Sequence, residues 1–173
     1  MSNRVDTFIA EAVKIALDPA CGYSQVNRWG PDYDCSSLVY HCAEVAKYDI
    51  PKSGTRYTGT IIEHFSKAGW RVDPFDGNLY DLDPGDILLN VTNHVAIYRG
   101  NGEIVEASCD ENGGITGPKH GDQTGAEIRI GPVYNYPWEY VLTAPKESSH
   151  KGKESKQEEI IRLAKRIIEL SSS

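Results

Sequence analysis

The chain has 173 residues and a formal net charge of −7, and 39% of its residues are hydrophobic. This length suits one domain with a proper core, and the ordinary composition excludes wholesale disorder. Residues 146–173 hold seven Lys and Arg against five Asp and Glu, a local charge of +2, so the residues before them carry −9. A body this acidic argues against nucleic acid as a partner, because phosphate contacts need a basic face.

The sequence contains no apolar run of the length that a membrane-spanning helix needs. Its first residues, MSNRVDTFIAEAVKIALDP, are typical of an amphipathic helix and lack the basic start and solid apolar centre of a signal peptide. We therefore expect a protein made in a cytoplasm. The four cysteines show neither paired spacing nor a CxxC motif, so neither a disulfide framework nor a zinc site is supported.

Three helices are predicted in the first part of the chain. Residues 5–17 repeat apolar side chains on one helical face and end at Asp18-Pro19. A loop rich in Gly, Asn, Trp and Pro follows, and a second helix begins near Cys35. A third helix is predicted over residues 58–68, with an apolar face of its own.

Short β-rich segments separated by Gly and Asn turns follow the helices: GDILLNV, HVAIYRG, GEIVEAS, AEIRIGPVY and EYVLTAP. Helices first and then a mostly antiparallel sheet is an α+β layout. Between GEIVEAS and AEIRIGPVY, residues 109–125 are polar and glycine-rich. We interpret them as a long loop beside the sheet, and loops of this length are often functional.

The composition changes at the C-terminal end of the chain. The main domain is predicted to cover residues 1–145, a polar linker residues 146–157 and an amphipathic helical tail residues 158–173. Ser155 and Glu158 have the spacing of a capping box at the start of that tail. An apolar stripe follows, so the tail must dock on the main domain, pair with another chain or begin a further module.

A cysteine stands where the second helix is predicted to begin. Free cysteine is often simply buried, and packing is one interpretation of Cys35. The other is chemical, because a helix N-terminus is a position that favours thiolate formation. Asp34, just before it, suits the helix cap better than a chemical role.

A nucleophilic cysteine needs a base, usually a histidine. His41 lies six residues after Cys35, about 240° around the helix, so those two side chains cannot meet directly. His94 differs, because it opens a strand directly after a turn; its alternative is a strand-edge histidine bonded to a loop carbonyl. The other histidines are interpreted as solvated: His64, His120 and His150.

The hairpin after His94 supplies a candidate third group. A two-residue turn would send Glu106 to the opposite face of the sheet, whereas a three-residue loop over 100–102 pairs Ala96 with Glu106. Glu106 then lies diagonally beside His94, where a carboxylate orients an imidazole and supports its charged form. The alternative interpretation is that Glu106 is only a polar residue facing outward. Chance alone would put it on the same face as His94 half of the time.

Three stretches together resemble a known enzyme family. DCSSLVY resembles the nucleophile motif of the NlpC-type peptidases and of related phage peptidoglycan amidases, and NHVAIYRGNGEIVEAS resembles their histidine hairpin. GDQTGAEI with YNYPWEYVL resembles the closing segment of phage peptidoglycan hydrolases (endolysins). The resemblance covers residues 8–145. It implies a papain-like fold, with N-terminal helices packed on the sheet, and a cysteine peptidase or amidase catalytic domain over residues 1–145.

The same resemblance implies roles for particular residues. Cys35 is the expected nucleophile, His94 the general base and then acid, and Glu106 the orienting third member. NlpC-type enzymes often have histidine in the third place and CHAP-type amidases a carboxylate, which favours an amidase. The expected substrate-binding residues are Tyr23, Trp29 and Ser36; for Tyr23, a packed aromatic is the alternative.

We also expect the helix N-terminus and His94 to hold Cys35 as a thiolate, with a pKa lowered from about 8.5 to roughly 3.5–7.5. No cofactor or metal is expected. Asp32 and Asp34 are two acids without the rest of a calcium loop.

The predicted function is a peptidoglycan hydrolase, with N-acetylmuramoyl-L-alanine amidase as the favoured activity. The first alternative is a γ-D-glutamyl endopeptidase acting on the stem peptide; others are an inactive wall-binding module and an effector acting on a host protein. The resemblance to endolysins implies an enzyme made in the host cytoplasm that acts on the bacterial cell wall. The tail is a candidate for wall binding or self-association.

Overall fold

The computed structural model describes residues 3–146 and has the predicted α+β layout. The tail helix predicted over 158–173, and the linker beyond residue 146, lie outside the described residues. Three helices precede the sheet: α1 (Arg4–Ala16), α2 (Cys35–Val45) and α3 (Thr58–Lys67). The strands are β1 (Arg71–Pro74), β2 (Ile87–Asn90), β3 (His94–Gly100), β4 (Glu103–Ala107), β5 (Ile128–Pro132) and β6 (Tyr140–Thr143).

The six strands form one sheet in the order β1-β6-β2-β3-β4-β5, and every neighbouring pair is antiparallel. The predicted segments correspond to β2 through β6. Strand β1 and a short 3₁₀ helix, Leu79–Asp81, were not predicted. The four residues of β1 end in a proline and form an edge strand, which is too short to show alternation.

The two faces of the sheet carry separate hydrophobic clusters. The helices pack on one face, where α2 contacts β3 and α1 contacts β4 and β5. The other face holds a smaller cluster: Leu82, Leu88, Ala96, Tyr98, Ile104 and Trp138. Among residues 3–146, no helix combines the length and apolar character needed to cross a membrane.

The start of α2 is fixed by a reciprocal cap. The Asp34 side chain accepts a hydrogen bond from the backbone N–H of Ser37, and the Ser37 hydroxyl bonds back to the Asp34 backbone. This arrangement satisfies two groups that a helix N-terminus otherwise leaves unpaired. The capping role predicted for Asp34 is confirmed, and Cys35 becomes the first residue of the helix.

The β3–β4 hairpin reaches the predicted face by a different turn. Asn101 and Gly102 both have positive φ, 55° and 75°, which is typical of a two-residue type I′ turn and not of the predicted three-residue loop. An irregularity between Tyr98 and Gly100 adds one unpaired residue to β3. By itself the two-residue turn would put Glu106 on the opposite face of the sheet from His94. The extra residue in the bulge shifts the pairing by one and returns Glu106 to the same face.

The register beyond the bulge is the predicted one. Ile97 pairs with Val105, so the pairing of Ala96 with Glu106 follows by alternation. His94 and Glu106 therefore share one face of the sheet. The predicted turn was wrong in form, but its assignment of faces is confirmed.

A buried carboxylate joins the long loop to the segment before α2. Asp32 is 1% exposed, and one of its oxygens accepts the backbone N–H groups of Gly22 and Gly121 at 2.9 and 3.0 Å. Its other oxygen lies 2.6 Å from Nδ1 of His120, whose side chain is otherwise mostly exposed, as predicted. The loop over residues 109–125 is thus attached to the residues that lead into α2.

Glu127 makes a second attachment of the same kind. Its carboxylate is buried and accepts the backbone N–H of Tyr23 at 2.8 Å and that of Gln123 at 3.0 Å.

The prediction of a solvated His64 is wrong. That ring is buried against α2 and lies 2.9 Å from the Tyr40 hydroxyl, because α3 turns this face toward α2.

Replacing Asp32 with alanine should destabilise the fold. Two buried N–H groups would lose a charged acceptor, and we expect the free energy of unfolding to fall by about 3 kcal/mol. Urea denaturation measures this loss. The control is Asp122→Ala, which removes loop bonds to Thr124 and Gly125 that are exposed and should cost about 0.5 kcal/mol. Equal losses for the two variants would contradict the anchoring role of Asp32.

Candidate active site

The Cys35 thiol lies where α2 meets the start of β3. Its side chain is 7% exposed, and the sulfur receives hydrogen bonds from the backbone N–H groups of Val95 and Ser36. Val95 directly follows His94 in the chain. The sulfur is therefore held at the end of the strand from which the His94 imidazole projects.

The His94 ring is fixed from two sides. Its Nε2 atom lies 2.7 Å from Oε2 of Glu106, so Nδ1 is the ring nitrogen that Glu106 does not engage. The rings of Tyr136 and Trp138 pack against the imidazole with centroid distances of 5.6 and 5.7 Å. Burial raises the pKa of Tyr136, and the negative charge that Cys35 carries when ionised adds to this shift. The Tyr136 phenol therefore lies near both His94 and the thiol.

Glu106 is a nearly inaccessible carboxylate with a complete set of donors. It is 1% exposed, and besides His94 it accepts hydrogen bonds from Nε of Arg129 at 2.8 Å and from the Tyr134 hydroxyl at 3.0 Å. Burial acts to raise the pKa of Glu106, but the hydrogen bonds and charges of His94 and Arg129 outweigh it. The pKa therefore lies below its ordinary value, and the group is a carboxylate at neutral pH.

The structure contradicts the predicted lowering of the Cys35 pKa. Burial, followed by the negative charge of Asp34, raises the pKa of Cys35 to about 12. The N–H donors at the sulfur and the nearby charge of Arg28 act in the opposite direction without reversing the shift. Desolvation disfavours the charged form, and the sequence did not indicate how deeply this first helical residue would be buried.

Two of the three predicted substrate-binding residues differ sharply in exposure. Tyr23 is buried; burial raises its pKa to about 12, and the charge of Cys35 adds to that shift, so its hydroxyl lies near the thiol. Trp29 is 53% exposed, and its ring lies 5.0 Å from the guanidinium of Arg28 and 5.8 Å from that of Arg56. Both roles in substrate binding stay predictions.

The expectation that Ser36 lines the groove is not met. Its side chain is buried, donates to Asp34 at 3.0 Å and accepts a hydrogen bond from Nη2 of Arg28 at 2.7 Å. Arg28 also bonds the Asp34 carboxylate at 3.0 Å. Ser36 therefore stabilises the N-terminal cap of α2, because the loop before the helix places Arg28 within bonding distance of both Ser36 and Asp34.

Sequence reasoning missed Arg129 and the aromatic wall beside His94. Arg129 on β5 pairs directly with Glu106 on β4, and an opposite-charge cross-strand pair was the available signal. Tyr134, Tyr136 and Trp138 pack together, and with Phe75 they line a depression of about 460 Å³. Their density in the stretch YNYPWEY was a second signal.

A metal centre finds no support in residues 3–146, where no group of three or more His, Cys, Asp or Glu side chains is arranged to hold an ion. What this part of the chain does bring together is a thiol, an imidazole and an ionised carboxylate. The thiol lies at a helix start and the other two on adjacent strands. These are the kinds of group that a cysteine nucleophile and a histidine base require.

Comparison with solved structures shows the same fold in cell-wall hydrolases. The peptidoglycan hydrolase RipB from Mycobacterium tuberculosis superposes with a TM-score of 0.51 at 20% identity, over 81% of this chain and 63% of that one. The P60 domain of an antigen from M. avium subspecies paratuberculosis gives 0.51 at 18% identity, over 82% and 93%. The chain thus spans less than two thirds of the RipB structure.

NlpC1 from Trichomonas vaginalis also matches, with a TM-score of 0.51 at 20% identity over 83% of this chain and 45% of that one. The family model of the endolysin-like domain matches residues 104–164, a segment that contains Glu106 but neither Cys35 nor His94. No match was found among proteins of curated function. The resemblance to NlpC-type cell-wall hydrolases stated from the sequence is confirmed at the level of the papain-like fold.

The raised pKa of Cys35 predicts how its thiol reacts with iodoacetamide. The rate of alkylation at Cys35 should keep rising with pH beyond about pH 9, where an ordinary thiol has largely ionised. Peptide mapping by mass spectrometry at each pH separates Cys35 from the other cysteines. The fully buried Cys42 serves as an internal control that should react only on unfolding. A plateau near neutral pH would instead mean that Cys35 rests as a thiolate.

Proposed function

We propose that this protein is a cysteine-dependent peptidoglycan hydrolase. The observation that carries the proposal is that the Cys35 sulfur accepts the backbone N–H of Val95, the residue after His94, whose ring lies 2.7 Å from Glu106. The fold, shared with a peptidoglycan hydrolase, and the partial match to an endolysin-like domain support the same substrate class. Fold alone does not fix substrate, so the chemistry of the site bears the main weight.

The mechanism begins with Cys35 as a neutral thiol. Its sulfur attacks the carbonyl carbon of an amide while its proton passes to His94, whose positive charge Glu106 stabilises. The developing oxyanion accepts a hydrogen bond from the backbone N–H of Cys35, which as the first helical residue has no acceptor within the helix. His94 returns the proton to the leaving amine as the C–N bond breaks. It then takes a proton from water, which hydrolyses the thioester.

The amide bond that we favour is the one between N-acetylmuramic acid and L-alanine. This choice depends on the carboxylate at position 106, which resembles the third member of CHAP-type amidases. The alternative is the γ-D-glutamyl bond within the stem peptide. Mass spectrometry of digested peptidoglycan separates them, because an amidase releases whole stem peptides and an endopeptidase leaves shortened stems on the glycan.

We further propose that the enzyme acts as a phage or prophage endolysin. The family model of the endolysin-like domain supports this assignment, and its match extends to residue 164, beyond the described residues. On this proposal the protein is made in the host cytoplasm and reaches the wall by a separate pore. Residues 158–173 are a candidate for wall binding or self-association, which sedimentation with and without residues 146–173 would distinguish.

Cys35→Ala should abolish hydrolysis of purified peptidoglycan sacculi, since the attacking atom is lost. A turbidity assay measures the rate, and circular dichroism checks that the fold survives. The matched control is Cys21→Ala, which changes a half-buried thiol whose charged neighbours are not among the proposed catalytic residues and which should keep the wild-type rate. Retained hydrolysis by Cys35→Ala would overturn the nucleophile assignment, and an inactive wild type would favour a wall-binding module.

Glu106→Gln should lower the hydrolysis rate by about 10²-fold or more, because a neutral amide does not stabilise the imidazolium of His94. The same turbidity assay at saturating sacculi reports this loss, and cosedimentation with sacculi reports binding, which should persist. Glu103→Gln is the control, since it alters a partly exposed carboxylate on the same strand that pairs with Arg99. Equal rates for Glu106→Gln and Glu103→Gln would make Glu106 a bystander.

A further inference from the structure

The carboxylate of Glu106 is held from three directions. Oε2 receives Nε2 of His94 and the Tyr134 hydroxyl, while Oε1 receives two guanidinium nitrogens of Arg129, at 2.8 and 2.5 Å. A guanidinium that presents two nitrogens to a carboxylate fixes its position as well as its charge. Arg129 therefore determines where Oε2 points, and Oε2 is the atom that faces the base.

The surroundings of Glu106 explain why such a fixed cation matters. At 1% exposure the carboxylate has almost no contact with water, and an isolated buried carboxyl favours its neutral form. A protonated Glu106 would carry no charge with which to stabilise the imidazolium of His94. Arg129, by contrast, is 43% exposed, so its own charge remains hydrated on one side.

Several ionisable groups from neighbouring elements surround Glu106. They are Cys35 from α2, His94 from β3, Arg129 from β5, and Tyr134 and Tyr136 from the segment after β5. The tyrosines and the thiol are neutral at and below neutral pH. Within this group, Arg129 is the one permanent cation. His94 carries a positive charge only when it is protonated, so in the state in which His94 can accept a proton Arg129 is the cation that holds Glu106 ionised.

We propose that Arg129 is a positioning residue that keeps Glu106 ionised and aimed at His94, and thereby sets the lower pH limit of the enzyme. This inference rests on the proposed function, in which His94 takes and returns the proton. Arg129 touches neither the thiol nor the proton in transfer. Its effect passes through the carboxylate.

Arg129→Met should move the acidic limb of the pH–rate profile to higher pH by about one unit, since a nearby opposite charge shifts a carboxyl by at least that much. The measurement is the initial rate of sacculi hydrolysis at low substrate across the acidic and neutral range. At a pH below the limb this shift corresponds to an about tenfold lower rate than wild type, in addition to any uniform loss. Arg129→Lys keeps the charge and should leave the limb near its wild-type position.

The matched control is Arg99→Met, which removes a cation from β3 where it lies 3.7 Å from the partly exposed Glu103. It should not move the limb. If Arg129→Met folds poorly, Arg129→Gln carries the test, because it keeps a hydrogen bond without the charge. A rate that falls equally at all pH values in the uncharged variants would overturn the proposal and leave Arg129 a structural role only.

A second readout does not depend on the substrate. In protein labelled with ¹³C-histidine, the His94 ring resonances should report the ionisation of Glu106 as an acidic inflection, and Arg129→Met should move it upward. An unmoved inflection would contradict the positioning role even if the wild type hydrolyses sacculi. A shifted inflection in a protein that does not hydrolyse sacculi would mean that the proposed function fails while the clamp on Glu106 stands.

Discussion

The structure around the site depends on burying one negative charge in the sheet. A carboxylate as inaccessible as that of Glu106 is tolerated only when its oxygens are fully paired. Its donors come from β3, from β5 and from the segment after β5, so three separate parts of the chain must meet correctly. Strand order and register are therefore tied to the same contacts that orient His94.

Two further buried carboxylates hold the loops together, as Glu106 holds neighbouring strands together. Asp32 and Glu127 accept backbone N–H groups from both the segment before α2 and the long polar loop. Loops of this length lack regular backbone bonding, so these side chains replace it. These bonds hold in place the segment before α2, which contains Tyr23 and leads into the helix that carries the thiol.

The raised pKa of Cys35 changes how the nucleophile is understood. A helix N-terminus favours a thiolate, yet here burial and the capping carboxylate of Asp34 outweigh that effect. The resting site then holds a thiol and not a thiolate, and attack has to be coupled to proton transfer. Arg28, which pairs with Asp34, reduces the unfavourable charge next to the sulfur.

The sequence by itself determined the order of the three α-helices and of strands β2 to β6, the place of Cys35 at a helix start and the shared face of His94 and Glu106. Those features follow from local periodicity, capping and parity along the chain. Only the tertiary structure decided that Arg129 clamps Glu106, that Ser36 and His64 turn inward and that the thiol is neutral. Burial and pairing depend on elements distant in sequence, and no local pattern specifies how closely those elements pack.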